Sequence, residues 1–236
     1  MPNPFFRFKQ FTVRQEKAAM KVGTDGVLLG VWAEVSTAET ILDIGTGTGL
    51  VAIMLAQRSK ARIDAVEIDP DSSTQAKENV DRCPWRDRIN LYNKSFQEYS
   101  QEHNGYYDLI VSNPPYFINS LKSQEAARNS ARHDEDLPQD DLIEGVVKLL
   151  ASEGRFSAIF PYVEGNIFVA KAAAKGLYCT KRVNVVGKQG TGVKRLLLEF
   201  SKQKLPFEES ELTIRDKNDG FTSEYRLLTK DFYLAF

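Results

Sequence analysis

The run Asn113-Pro114-Pro115-Tyr116 combines two acceptors and a ring in a way that suits chemistry on an amino group. Two consecutive prolines fix the backbone and remove two donors, so the Pro114 carbonyl is left to accept a hydrogen bond from a bound molecule. An amino group conjugated with an aromatic ring or a carbonyl has a delocalised lone pair and is a poor nucleophile. If the Asn113 side-chain oxygen and the Pro114 carbonyl each accept one N–H proton, the nitrogen moves toward tetrahedral geometry, its lone pair aimed at an electrophilic carbon. Tyr116 would stack on the ring that carries the amino group, as extruded bases are commonly held. A rigid loop after a strand would explain the same four residues without any chemistry, so the rest of the chain has to decide.

Upstream, Ile41-Leu42-Asp43-Ile44-Gly45-Thr46-Gly47-Thr48-Gly49-Leu50 passes from an apolar strand through three alternate glycines into a helix, where exposed backbone N–H groups make a ligand-binding end. A nicotinamide dinucleotide site would want the third glycine one position later, at Leu50. The run instead resembles the first motif of the class I methyltransferases, in which an acidic residue, here Asp43, precedes the glycines. That resemblance implies S-adenosylmethionine as cofactor, its methionine portion packed against the loop at Gly45, Gly47 and Gly49. Its sulfonium methyl would be the electrophilic carbon.

The second strand ends in Val66-Glu67-Ile68-Asp69-Pro70, roughly 20 residues after the loop, where doubly wound nucleotide-binding folds place a carboxylate on the ribose hydroxyls. The resemblance implies Glu67 for that bidentate contact, while Asp69 reads as the cap of the following helix. After the third strand, Asn93-Lys94-Ser95-Phe96 stands where such enzymes hold the adenine between a polar group and an apolar side chain, which implies Ser95 and Phe96. Many relatives have an acid at the position of Ser95.

These residues must be held by a scaffold, and from residue 40 onward short β-rich runs alternate with helical stretches, the signature of a mostly parallel sheet covered by helices. Strands are expected at residues 40–44, 62–68, 89–92, 107–112 and 154–160, with 182–186 and 193–200 joined by a glycine-containing turn at 187–192. Helices are expected at 50–57, 72–80 and 139–150, with Asp71 as a cap for the second. The reading is α/β: a Rossmann-like, seven-stranded class I methyltransferase sheet, mostly parallel with an antiparallel last strand, and helices on both faces. Residues 40–236 would form one main domain, and residues 1–39 an extension over the cofactor and substrate site. Residues 119–139, polar and without a period, read as a mobile loop.

No stretch approaches the roughly 20 apolar residues that span a bilayer, and MPNPFFRFKQF lacks the apolar core of a secretory signal, so a cytoplasmic protein is expected. Cys83 and Cys179 have no metal-like spacing and read as free thiols; His103 and His133 form no metal set and read as surface residues. A net charge of −1 gives no global reason to bind nucleic acid, so such a partner must meet a local patch. Arg7, Lys9, Arg14, Lys17 and Lys21 near the start, Arg128 and Arg132, and Lys188, Lys194 and Arg195 are the available cations. A monomer is the default expectation.

Motifs like Asn113-Pro114-Pro115-Tyr116 serve adenine N6, cytosine N4, guanine N2 and the glutamine amide of release factors, so other segments must discriminate. The opening block, residues 8–13 and the run Met20-Lys21-Val22-Gly23-Thr24-Asp25-Gly26-Val27-Leu28-Leu29-Gly30, closely resembles the start of the bacterial tRNA1(Val) adenine-37 N6-methyltransferases. The ending Tyr225-Arg226-Leu227-Leu228-Thr229-Lys230-Asp231-Phe232-Tyr233-Leu234 does so too. The resemblance implies methyl transfer to N6 of the adenine beside the anticodon, with tRNA as partner held largely through its phosphates. It also lays the N-terminal segment over the cofactor pocket, where Thr24 and Asp25 would contact the ligand or its covering loop; a simple turn at residues 23–26 explains them equally. Two other readings stand beside it: a methyltransferase for guanine in ribosomal RNA or for a glutamine amide, and a silent cofactor-binding module. Only 39 residues precede the sheet, too few for the helical substrate domain of the glutamine enzymes, and an intact Asn113-Pro114 disfavours the silent module.

Overall fold

Strands buried on both faces read as near-continuous apolar runs, and the two such runs that end in the glycine loop and in Asn113 lie side by side in the computed structural model. The structure describes residues 3–18, 20–104, 107–114 and 137–236. The chain opens with β1 Phe5–Arg7, β2 Thr12–Arg14 and α1 Thr24–Trp32. It continues through β3 Thr40–Ile44, α2 Leu50–Arg58, β4 Arg62–Glu67, α3 Pro70–Arg82, β5 Ile89–Asn93, α4 Phe96–Glu102 and β6 Tyr107–Ser112. Then follow α5 Gln139–Leu149, β7 Leu150–Pro161, α6 Tyr162–Ala174, β8 Tyr178–Lys188, β9 Val193–Ser201, β10 Glu208–Arg215 and α7 Ser223–Thr229.

The main sheet has the order β10-β8-β9-β7-β6-β3-β4-β5. Every neighbouring pair is parallel except those involving β9, which runs against both β7 and β8. The sheet therefore has eight strands among the described residues and not the expected seven; β10, with Glu208, Glu209 and Glu211, adds the eighth beside β8. Its sequence carries apolar alternation only at Leu212 and Ile214, the first four of its eight residues being polar and exposed. Side chains alternate between two cores: Leu109 and Val111 face the side covered by α1, α2 and α3, while Ile110 faces the side of α4, α5 and α6.

Four helices, α1, α4, α6 and α7, escaped the sequence reading, the first three for identifiable reasons. In α1, Gly26 and Gly30 look like breakers, yet they let the helix approach α2: a Cβ at Gly30 would lie 2.7 Å from Met54 Sδ, and one at Gly26 would lie 3.2 Å from Leu50 Cδ2. Residues 23–26 are thus the cap and first turn of a helix, not a free turn. α6 follows β7 with no intervening loop residue, and α4 is a short helix set by a capping box between Ser95 and Glu98. The cap of α3 is Asp69, whose carboxylate accepts the Ser72 N–H at 2.8 Å; Asp71, expected in that role, lies inside the first turn. Cys83 and Cys179 are free. His103 ends α4 with its ring stacked 3.9 Å from that of Tyr99. Among the described residues no helix is long and apolar enough to cross a membrane, and no group of three or more His, Cys, Asp or Glu residues could hold a metal ion.

Candidate functional site

Chain order reverses between β3 and β6, because β4 and β5 extend the sheet one way and β7 the other. Ligands of open α/β sheets bind in the crevice beyond the strand ends at such a point. Here the glycine loop leaves β3 and Asn113-Pro114 leaves β6, with Ile44 opposite Ser112 in the register. Both line a cavity of about 630 Å³, a size that accommodates a nucleoside-sized ligand.

Gly45, Gly47 and Gly49 have φ of 69°, 57° and 79°, so each supplies a left-handed backbone that a side chain would strain. A Cβ at Gly45 or Gly47 would meet nothing within 4 Å; at Gly49 it would meet Ala76 of α3 at 3.5 Å. The first two glycines thus face open space on the cavity wall, and the third packs the loop against its neighbour. Asp43, 1% exposed, holds the loop's shape, since one carboxylate oxygen accepts both Thr46 Oγ1 at 2.6 Å and Ala52 N at 3.1 Å.

Burial pushes the Asp43 carboxyl up to about 7, against the pull of those two hydrogen bonds. Its folded-state value lies above the unfolded one near 3.8, so the folded chain binds the extra proton in that window. The stability this contributes is complete below about pH 4 and is lost as pH rises toward 7. Asp43→Asn keeps an oxygen for both donors and removes the titration. Urea midpoints of the variant are therefore expected to gain on wild type steadily from pH 4 to 7; parallel curves would contradict a titrating Asp43.

Glu67 ends β4 at the cavity, 9% exposed, its Oε2 accepting Gly47 N at 2.7 Å and its Oε1 accepting Asp69 N at 3.0 Å. Burial raises its carboxyl above the usual range while these N–H groups oppose the shift. Each oxygen has a second lone pair, so the group can accept further hydrogens from a ligand in the cavity. Phe96 forms an apolar wall with Lys94 and Gln97 beside it. Ser95 stands off that wall: its hydroxyl caps α4, accepting Glu98 N at 3.1 Å and donating to Glu98 Oε2 at 2.8 Å.

On the opposite wall are half-buried Asn113 and buried Pro114; the preceding Ser112 donates its hydroxyl to Ile44 O at 3.0 Å and so locks β6 to β3. Pro115 and Tyr116, and nearly all of the expected loop at 119–139, lie outside the described residues, as do Arg128, Arg132 and His133. Thr24 and Asp25, in the first turn of α1, line the cavity with Met20, Lys21 and Gly23. Asp25 Oδ2 accepts Arg195 Nε of β9 at 2.7 Å, in a pair that ties α1 to the far half of the sheet.

Sequence reasoning missed the device that holds the segment before α1 in place. Asn79, 1% exposed on α3, accepts Arg14 N and donates to both Arg14 O and Thr48 O, each at 2.8 Å. Gln75, fully buried one turn earlier, accepts Glu16 N at 3.0 Å and Lys17 N at 3.1 Å. One side chain therefore joins the N-terminal segment to the end of the glycine loop. The signal in the sequence was a polar pair four residues apart on the inner face of an otherwise amphipathic helix. Asn79→Ala strands three backbone groups and is expected to cost about 2–3 kcal/mol in urea unfolding and to weaken cofactor binding several-fold by calorimetry. A loss below about 0.5 kcal/mol would show that water replaces the amide.

Comparisons with known proteins agree with this geometry. Residues 18–156 match the family model described as methyltransferase small domain. The tRNA1(Val) (adenine(37)-N6)-methyltransferase of Trichodesmium erythraeum is 52% identical over 234 residues, covering 98% of both chains. The protein of the same name from Bacteroides fragilis strain ATCC 25285 is 46% identical and covers 99% of both. Among solved structures, one described as a predicted O-methyltransferase from Agrobacterium tumefaciens superposes with a TM-score of 0.70 at 17% identity, over 88% of this chain and 96% of that one. TYW2 of Pyrococcus horikoshii, in complex with MeSAdo, reaches 0.56 at 15% identity over 84% and 71%. At such identities these two likenesses speak for the fold.

Proposed function

The chain belongs to the methyltransferase small domain family and, within it, to the tRNA1(Val) (adenine(37)-N6)-methyltransferases, and from that premise we propose that it methylates N6 of adenine 37 in the anticodon loop of tRNA1(Val), acting in the cytoplasm as a monomer. The observation that carries the reading is the meeting of two motifs in one cavity: the glycine loop with Glu67 on one side, and Asn113-Pro114 on the other.

The residues present fit S-adenosylmethionine. Gly45 and Gly47 leave room where a Cβ would project, the Glu67 carboxylate suits a pair of ribose hydroxyls, and Phe96 offers an apolar surface to a purine. Thr24 and Asp25 lie where residues 1–39, taken as the segment that covers the site, reach the cavity. When bound, the cofactor supplies a methyl group on a positively charged sulfur, an excellent leaving centre. The chain's part is to present the nucleophile. Asn113 Oδ1 and the Pro114 carbonyl accept hydrogen bonds from the two N6–H groups, which frees the lone pair and stabilises positive charge as it develops on nitrogen, until one of the two protons is released to water. Tyr116, two residues on, is assigned the stacking contact with the adenine. An anticodon-loop base is already unpaired, so bringing it into the cavity costs less than extrusion from a duplex.

The test is a methylation assay of the purified protein with S-adenosylmethionine and bulk tRNA from cells lacking the modification, digested to nucleosides and read by mass spectrometry. N6-methyladenosine mapping to position 37 of tRNA1(Val) is expected. Methylation of guanine in ribosomal RNA or of a release-factor glutamine, with no product on tRNA, would overturn the reading.

A further inference from the structure

The rim of the crevice carries a feature that methyl transfer to the target base does not use. β7 pairs with β6 so that Ala158 lies opposite Ser112, and β7 ends at Pro161. Tyr162 therefore emerges one strand away from Asn113-Pro114 and slightly further out, on the order of 8 Å from Pro114 by strand spacing and rise. It begins α6, whose inner residues Phe168 and Ala172 are buried, yet Tyr162 is 43% exposed, with Val163 at 63% and Ile167 at 48%. The ring is not idle surface. The Arg182 guanidinium lies 5.8 Å from its centroid, itself held by Asn184 Oδ1 at 3.0 Å and Glu209 at 3.3 Å.

A second cation stands nearby in the sheet register. Leu196 of β9 packs under α6, where a Cβ at Gly165 would lie 3.0 Å from its Cδ1. Lys194 follows two residues nearer the rim, at an irregularity of β9 where Val185 pairs with Arg195 and Val186 with Val193, next to the register partners Pro161 and Arg195. Lys194 is exposed and forms no ion pair among the described residues. An exposed ring braced by a guanidinium, with an ammonium beside it, matches a flat π-faced group attached to a phosphate.

We infer that Tyr162, braced by Arg182 and accompanied by Lys194, is a stacking subsite for an unpaired anticodon-loop nucleotide neighbouring the one methylated. The inference rests on the tRNA reading above. It adds a binding residue on α6 that neither the cofactor cavity nor the Asn113 motif supplies, and its occupant is single-stranded RNA because its place is one strand away from Asn113-Pro114, to which the proposed function assigns the target base.

The full-length protein is assayed on an anticodon stem-loop RNA as wild type, Tyr162→Ala, Tyr162→Phe and Leu227→Ala, the last an exposed apolar residue on α7. Tyr162→Ala is expected to raise KM for the RNA about tenfold, with kcat within about twofold and cofactor Kd unchanged, while Tyr162→Phe stays near wild type. A 2-aminopurine next to the target adenine should be quenched on binding wild type and brighter on Tyr162→Ala. An unchanged KM for Tyr162→Ala on a wild type that methylates, or an equal rise for Leu227→Ala, overturns the subsite alone. A change in sedimentation with KM unaltered identifies a protein contact and overturns it too. Failure of wild type to methylate any tRNA removes the tRNA reading and the subsite with it.

Discussion

Asn113→Ala is expected to reduce single-turnover methylation by roughly a thousandfold, the scale seen when a preorganised hydrogen-bond partner of a transition state is removed. Cofactor affinity should stay within about threefold of wild type, because the backbone of the glycine loop and Glu67 form the other wall of the cavity. The asymmetry follows from when the bonds matter. The side-chain oxygen of Asn113 gains most as the nitrogen becomes tetrahedral and positive, whereas the unreacted adenine is conjugated and accepts the loss more easily. Calorimetric titration and rapid-quench kinetics on the same preparation check both halves. A collapse of cofactor binding would move Asn113 from catalysis to the cavity wall.

Glu67→Ala should show the converse, a cofactor Kd at least about a hundredfold higher, or about 2.7 kcal/mol. Two effects combine. The variant loses an ionised acceptor for hydroxyls, and it leaves Gly47 N and Asp69 N without their partner, so the loop that should meet the ligand is itself less defined. Glu67→Gln impairs both at once, since an amide oxygen can serve only one of the N–H groups while its NH2 faces the other. Its affinity is expected to fall nearly as far as that of the alanine variant. A glutamine variant with wild-type affinity would contradict both roles, the ligand contact and the loop brace.

The parts of this molecule that could be read in its sequence are those whose signal is local. The strand–glycine–helix run at residues 41–50 and the strand running into Asn113 require particular residues at consecutive positions, and both sit at the crevice. What could not be read depends on contacts between distant segments. Gly26 and Gly30 look like breaks until α2 is placed against them, and nothing near Asn79 in the chain announces that it will serve Arg14 and Thr48. Ser95 shows the opposite hazard. Its position suggested a ligand contact, yet a serine three residues before Glu98 also makes a capping box, and its hydroxyl is engaged there. The eighth strand was missed because a glutamate-rich segment with only Leu212 and Ile214 alternating is too short a hydrophobic period to read, although its backbone completes a ladder with β8.

That eighth strand also changes how the molecule meets its own copies. Without it, the sheet would terminate at β8, whose Val183, Val185 and Val186 would offer an open, β-branched template for pairing with another chain. With it, the terminal backbone belongs to a segment holding Glu208, Glu209 and Glu211, whose exposed charged side chains make a poorer template for another chain. The charged strand thus covers the apolar one behind it, a way of blunting a sheet edge that lies at a distance from the chemistry.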